Sequence, residues 1–289
     1  MQNAQDMMAR LNQSGRRLSK GHRKIADYIM AHYDQAVFMT AARLGECVGV
    51  SESTVVRFAS AMGYSGYPQL QRSLQELVSH RLTANQRFEK SAALEPGNVL
   101  STVLKTDIQN LSATLEDLDP RVFEDVVGRL DAARSVCVIG LRSAAPLARF
   151  LANYLRYMFD SVRLMTGGAA DEMEDLVQLT SQDVLVGISF PRYSARTLEV
   201  MRFARHCGAQ VVAITDGPMS PLCELADACL TARTDMASFV DSLAAPLSVI
   251  NALLVSLGLR RREALSLHLS QLENVWETYR VYLEEDHHA

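Results

Sequence analysis

Two glycines four residues apart constrain this chain more than any other feature. In residues 40–64, TAARLGECVGVSESTVVRFASAMGY, Gly45 precedes Gly49 by four positions, and Val55 and Phe58 follow Gly49 by six and nine. The pattern on both sides of Gly49 is helical. A small residue where two helices cross, a glycine in the turn, and apolar residues seating the second helix on the first are the spacing of a helix-turn-helix. Thr40 opens the first helix, over residues 40–48. Ser51 caps the second, over 52–62, and its side-chain oxygen is expected to accept from the N–H groups of the first turn. On a wheel of about 100° per residue, Val55, Phe58, Ala59 and Met62 share one face. Ser53, Arg57 and Ser60 lie opposite, with Thr54 and Val56 on the flanks. Small hydroxyl side chains permit close approach to a major groove, and a guanidinium can pair with guanine or clamp a phosphate. Ser53, Thr54, Arg57 and Ser60 are therefore the expected DNA-contacting residues.

The surrounding segment fits that reading. Residues 18–37 carry Ile25, Ile29 and Tyr33 at helical spacing after Ser19, a plausible N-cap. Arg16, Arg17, Lys20, Arg23 and Lys24 cluster at its start and could flank the groove on phosphates. Residues 69–78 read as another helix with Leu70, Leu74, Leu77 and Val78 inward. Residues 1–80 hold nine Lys/Arg against six Asp/Glu, whereas residues 81–289 hold twenty against twenty-seven. A mildly basic head on an acidic body suits a DNA-binding head joined to a body that binds something else. The expected organisation is a helix-turn-helix domain over residues 1–80, a polar linker over 81–97, and a body over 98–289.

From residue 135 the pattern changes. Short apolar runs rich in β-branched residues recur at 136–140 (VCVIG), 162–165, 184–189 (VLVGIS), 211–215 (VVAIT) and 228–231. Helical stretches at 143–159, 171–179, 194–207 and 221–225 separate them, and two helices at 239–257 and 261–285 follow. Alternation of this kind predicts a doubly wound sheet of five parallel strands behind an all-α head. Ligands of such sheets sit at the carboxyl ends of the strands. Three loops come into play there: 140–143, 189–197 and 215–217. The first two join hydroxyls and arginines to helix N-termini, a setting for a small anion such as a phosphate or carboxylate. The candidate effector-binding residues are Arg142, Ser143, Ser189, Arg192, Tyr193, Ser194 and Thr197. Each of the hydroxyls could also serve simply as a helix cap.

Other chemistries find no motif. GLR at 140–142 is not GxGxxG, and no GxxxxGK[ST] occurs. The seven histidines show no HExxH or paired-ligand spacing, so no metal and no cofactor are expected. The five cysteines, Cys47, Cys137, Cys207, Cys223 and Cys229, form no CxxC and sit among apolar residues. They read as buried small hydrophobes of a reducing compartment. No run of about 18 uncharged apolar residues suggests a membrane span, and residues 1–17 lack the apolar core of a secretory signal. A cytoplasmic location is expected.

Taken together, SESTVVRFASAMGYSGYPQL in the head, and VCVIGLRSA, VLVGISFPRYSARTLE and ITDGPMSPLCELAD in the body, resemble the RpiR/MurR family of bacterial transcriptional regulators, which join a helix-turn-helix to a sugar isomerase (SIS) domain. The resemblance implies operator reading through Ser53, Thr54 and Arg57. It also implies phosphosugar binding through Ser143, Ser189, Ser194 and Thr197. Arg142 stands where the common first loop has a second glycine. SFPRYSART replaces the common SxSGxT, with Ala195 at the glycine position. The effector expected is thus a phosphosugar or a related phosphorylated or carboxylated anion. A single helix-turn-helix makes few contacts, so a homodimer or homotetramer on a palindromic operator is expected. The alternative is a sugar-phosphate isomerase with an accessory head, for which Glu172 or His206 would have to supply the base.

Overall fold

The computed structural model describes residues 18–32, 36, 39–71, 74, 85, 87–88, 96–167 and 171–282. Two units partition the chain, Met1–Glu95 and Pro96–Ala289.

In the first unit, Ser19 Oγ accepts from His22 N and starts α1, Lys20–Ala31. Thr40 Oγ1 likewise accepts from Arg43 N and starts α2, Ala41–Val48. That helix stops because Gly49 takes the left-handed conformation, φ 71°, which costs glycine little. The chain then turns into α3, Glu52–Ala61. A Cβ on Gly45 would lie 2.8 Å from the Val50 carbonyl oxygen, so only glycine lets the turn close over α2. The core is Ile25, Ala26 and Ile29 of α1, Ala41 and Leu44 of α2, and Val55, Phe58 and Ala59 of α3. Met62, Tyr67, Leu70 and Leu74 complete it. Leu77 and Val78 lie outside the described residues, as does most of the stretch expected as a linker. Within that stretch Arg87 is buried.

The second unit opens with α4, Val99–Asp117, and α5, Pro120–Asp131, the latter started by Asp119 and Pro120. Five strands follow, all parallel, in the order β2-β1-β3-β4-β5. They are β1 (Ser135–Gly140), β2 (Val162–Met165), β3 (Asp183–Ile188), β4 (Gln210–Thr215) and β5 (Ala228–Thr231). β1 and β3, at the centre, are buried at every residue, which is why they read as unbroken apolar runs. Alternate residues face opposite layers. Val136, Val138, Val184, Val186, Val212 and Ile214 pack with α5, with α6 (Ala145–Leu155) and with α8 (Ala244–Arg260). Cys137, Ile139, Leu185, Val211 and Ala213 pack with α7 (Ala195–His206) and the short helical turns Asp171–Glu174 and Asp175–Gln178. Gly187 lets α7 approach, since a Cβ there would meet Met201 Sδ at 2.5 Å. Helix α9, Arg262–Tyr279, follows α8 and buries none of its residues.

Four expectations need correction. Residues 221–225 form turns and not a helix. Helix α8 begins at Ala244 and not at 239, because residues 232–243 run as a strap held by α4: Asn110 bonds the Asp235 backbone, and Ser242 donates to Asp107. Ser51 makes no side-chain bond to a first-turn N–H; its hydroxyl pairs with Ser53 Oγ at 3.0 Å and Thr54 Oγ1 at 2.8 Å. The cysteines are not all buried hydrophobes: Cys47 is exposed, and Cys223 and Cys229 are joined in a disulfide.

Asp183, fully buried at the start of β3, is the electrostatic anchor of the sheet. Burial alone would raise its pKa. Arg134 bonds both carboxylate oxygens, Ser135 Oγ donates at 2.7 Å and Thr180 N at 2.8 Å, and together they hold the carboxyl down at about 2.

Candidate functional site

Two surfaces carry the candidate residues, one in each unit. In the first, the apolar face of α3 is spent on the core, so its outward face is set by periodicity alone. Ser53, Val56, Arg57 and Ser60 are exposed and Thr54 is half-buried. The polar groups of this face are bonded locally. Arg57 folds back, Nε to Ser53 O at 3.2 Å and Nη2 to Thr54 Oγ1 at 3.4 Å, and Ser60 Oγ reaches Val56 O at 3.4 Å. These are exposed contacts of modest net strength, about 1 kcal/mol or less each, and can be exchanged for contacts to bases or phosphates. Val56 was not expected to contribute. It is an exposed apolar side chain between Ser53 and Ser60, suited to a thymine methyl, and its flank position on the wheel was the only signal.

In the second unit the strand order reverses between β1 and β3: the chain leaves β1 for β2 on one side and then returns to lay β3 on the other. Gly140 and Ile188, the last residues of these neighbours, are paired in register. The loops that follow them therefore open side by side at the switch point, where doubly wound sheets bind ligands. A Cβ on Gly140 would stand 2.8 Å from Ala148 Cβ and 2.9 Å from Ala144 O, so glycine brings the next helix hard against the strand end.

Ser189 is buried, and its Oγ accepts from Ser194 N at 3.1 Å, closing the second loop on itself. Ser194 is the N-cap of α7, its Oγ accepting from Thr197 N at 3.3 Å. Thr197 is fully buried in the first turn of α7, and its hydroxyl oxygen has no hydrogen-bond partner. Ser143 Oγ donates to Asp241 at 3.1 Å. Tyr193 turns from the second loop to the third, its OH donating to Asp216 Oδ1 at 2.8 Å. Thr215 Oγ1 also bonds Asp216, and bonds Ser220 Oγ at 2.7 Å. Burial raises the pKa of both Asp216 and Tyr193. Asp216 lies in the third of the expected loops, but neither it nor Asp241 was among the candidate effector-binding residues, because their partners lie 23 and 98 residues away in the chain.

Arg142 and Arg192 are both exposed, with φ of 57° and 70°. Among the described non-glycine residues only Arg280 shares a positive φ. Left-handed backbone at a non-glycine costs of order 1–3 kcal/mol and gathers at functional loops. A cavity of about 450 Å³ lies beside the third loop, lined by Asp216, Gly217, Thr231, Arg233 and both Cys223 and Cys229. The 142–143 and 189–194 residues are not part of its wall. His206 lies exposed in the last turn of α7, at the opposite edge of the sheet from the loops, and the side chain of Glu172 lies outside the described residues.

The rpiR-family helix-turn-helix profile matches residues 5–81, and the SIS domain profile matches residues 129–256. The chain belongs to the RpiR/MurR family of transcriptional regulators. It is 29% identical to the HTH-type transcriptional regulator HexR of Pseudomonas aeruginosa, over 93% of this chain and 95% of that one. The sugar isomerase domain of an RpiR transcription factor from Sphaerobacter thermophilus superposes with a TM-score of 0.59 at 28% identity, covering 61% of this chain and 99% of that structure. The Vibrio vulnificus NanR protein complexed with ManNAc-6P superposes with a TM-score of 0.57, covering 94% of this chain and 98% of that structure. At 20% identity it supports the fold.

As an RpiR/MurR regulator the chain is a DNA-binding protein with a SIS domain, and its HexR and Sphaerobacter thermophilus relatives are a transcriptional regulator and a transcription factor. Among the described residues no helix is long and apolar enough to cross a membrane.

Proposed function

We propose that the SIS unit binds a small anionic metabolite, a phosphorylated sugar or a related carboxylated compound, between the ends of β1 and β3, and that occupancy changes operator binding by the head. The observation that carries this reading is the Thr197 hydroxyl, fully buried without a partner in the first turn of a helix at the switch point. A buried unsatisfied hydroxyl is costly, and an anion on the α7 N-terminus would satisfy it once the 189–194 loop shifts to uncover it. Ser194, Ser189 and Ser143 are the neighbouring hydroxyls. Arg142 and Arg192 supply the charge. Tyr193 contributes by tying this loop to Asp216. NanR, with its ManNAc-6P, makes a sugar phosphate the first compound to try.

In the head, Ser53, Thr54, Arg57 and Ser60 face the major groove, and two heads of a symmetric assembly read two half-sites. Support for an oligomer comes from apolar surface left uncovered in this protomer. Helix α4 exposes Leu100, Leu104, Ile108 and Leu115. An apolar groove of about 550 Å³ runs beside it, lined by Leu111, Leu115, Leu118, Phe123 and Val249. The domain assignment proposed is residues 1–80 for DNA, 81–97 as linker and 98–289 for effector and assembly.

The test is a thermal-shift titration of the full chain with inorganic phosphate, ManNAc-6P and sugar acids. A saturable rise in Tm with at least one of these anions is expected. No rise with any of them would remove the effector reading. Light scattering of the parent and of Leu115→Glu tests the assembly. A monomeric parent would remove that part.

A further inference from the structure

Cys223 and Cys229 are held together by a disulfide, their Cα atoms 5.6 Å apart. The two belong to different parts of one connection. Cys223 lies in the turns after β4, where its Sγ also approaches Gly217 O at 3.6 Å. Cys229 lies in β5, the edge strand of the sheet. Both are half-buried, so a small oxidant can reach them. Their bond joins the turn to the edge strand and fixes one wall of the 450 Å³ cavity, beside Asp216 and Arg233. Cys47, Cys137 and Cys207 are in no disulfide. A regulator that acts on DNA works in a compartment where glutathione and thioredoxin keep thiols reduced. A disulfide there is characteristically transient and redox-sensing.

We propose that Cys223 and Cys229 are a reversible dithiol–disulfide pair, closed by hydroperoxides and opened by thiols, that sets the rigidity of the β4–β5 connection. In closing, one thiolate attacks the hydroperoxide, breaking its O–O bond to give a sulfenic acid and an alcohol (water, for hydrogen peroxide). The second thiol displaces the sulfenic oxygen as water and forms the S–S bond. The sum is two thiols and one hydroperoxide to one disulfide, one alcohol and one water. Opening consumes two thiols and yields their disulfide by exchange. Thiol sulfurs are held apart by van der Waals contact, so the reduced turn moves away from β5. Asp216 stands at the head of the same connection and carries the Tyr193 hydrogen bond, which gives the change a route to the 189–197 loop. This inference stands independently of which effector, if any, that loop binds.

The experiment uses the full chain, reduced with dithiothreitol, desalted, and exposed to a small excess of hydrogen peroxide. Alkylation and intact mass are expected to show two thiols lost, one disulfide-linked pair containing Cys223 and Cys229, and full recovery with dithiothreitol. Amide exchange over 217–229 is expected to slow at least about fivefold on oxidation, with a smaller change over 190–197. Cys223→Ser and Cys229→Ser should each abolish both effects; if one of them folds poorly, the other and the parent still decide the matter. Both thiols remaining alkylatable under excess peroxide would overturn the pairing. A disulfide that forms without altering exchange over 217–229 would overturn its role in rigidity.

Discussion

Thr197→Val separates a structural hydroxyl from a ligand-binding one. The substitution keeps the branched shape and keeps the backbone N–H that donates to Ser194 Oγ. It replaces only the hydroxyl, which is fully buried and makes no hydrogen bond, by a methyl group. Desolvating an unsatisfied polar group costs about 1–3 kcal/mol. The ligand-free variant should therefore be more stable than the parent, by about 1 kcal/mol after allowance for imperfect packing. For a unit of this size that is a rise in Tm of about 2–4 °C. Binding should move the other way. A hydrogen bond to a charged group is worth about 1.5–3 kcal/mol, so the Kd for a bound anion should rise roughly 10- to 150-fold. Both quantities come from one assay, thermal unfolding with and without inorganic phosphate or ManNAc-6P at graded concentration. A Thr197→Val protein less stable than the parent by more than about 1 kcal/mol would show that the hydroxyl is bonded inside the fold. An unchanged Kd for every anion the parent binds would place the site elsewhere.

Other changes follow from the same structure. Arg57→Ala should cost about 1–3 kcal/mol of operator binding and relax base preference. A mobility-shift titration on selected duplexes checks it, and undiminished affinity would remove Arg57 from the interface. Gly45→Ala should destabilise the head by about 1–3 kcal/mol, since its Cβ would sit 2.8 Å from Val50 O; a head that melts unchanged would mean the turn yields freely. Asp183, with a pKa of about 2 against an ordinary 3.8, contributes roughly 2 kcal/mol that is fully present above pH 4 and lost as pH falls toward 2. Asp183→Asn should lower stability at neutral pH by a similar amount and flatten that acid limb, which denaturant melts between pH 2 and 6 would reveal. Arg142→Gly should leave stability within about 1 kcal/mol of the parent, because relieved left-handed strain offsets the freedom of an unfolded glycine, while weakening anion binding about tenfold. Equal affinity would take Arg142 out of the site.

What could be read in advance, and what could not, divides along the range of the interactions involved. The five strands were legible to within a residue. For β1, β3 and β4 the reason is that a strand buried on both faces must be apolar nearly throughout, which is a local property, whereas the half-buried edge strands β2 and β5 are short and were placed by the alternation of strands and helices. The face of α3 was legible because burial of Val55, Phe58 and Ala59 dictates by periodicity what remains outside. The start of α8 was not, since residues 232–243 are kept out of helix by Asn110 and Asp107, more than a hundred positions away. The Cys223–Cys229 bond is closer in sequence, but its geometry depends on β5 pairing with β4, which no spacing rule contains. The two candidate loops fall between these cases. Their position follows from strand order, and their hydroxyls from composition. The backbone at Arg142 and Arg192 does not follow from either. Arg142 is not a glycine, yet its φ is positive. The path of that loop is thus imposed by the surrounding fold, by Gly140 against Ala148 and by the turn into α6, and not by the residue that occupies it. A chain that keeps a glycine conformation while placing a guanidinium there carries strain that glycine would avoid. Charge presented beside the end of β1 is what the guanidinium adds, and an anionic effector is accordingly the one expected.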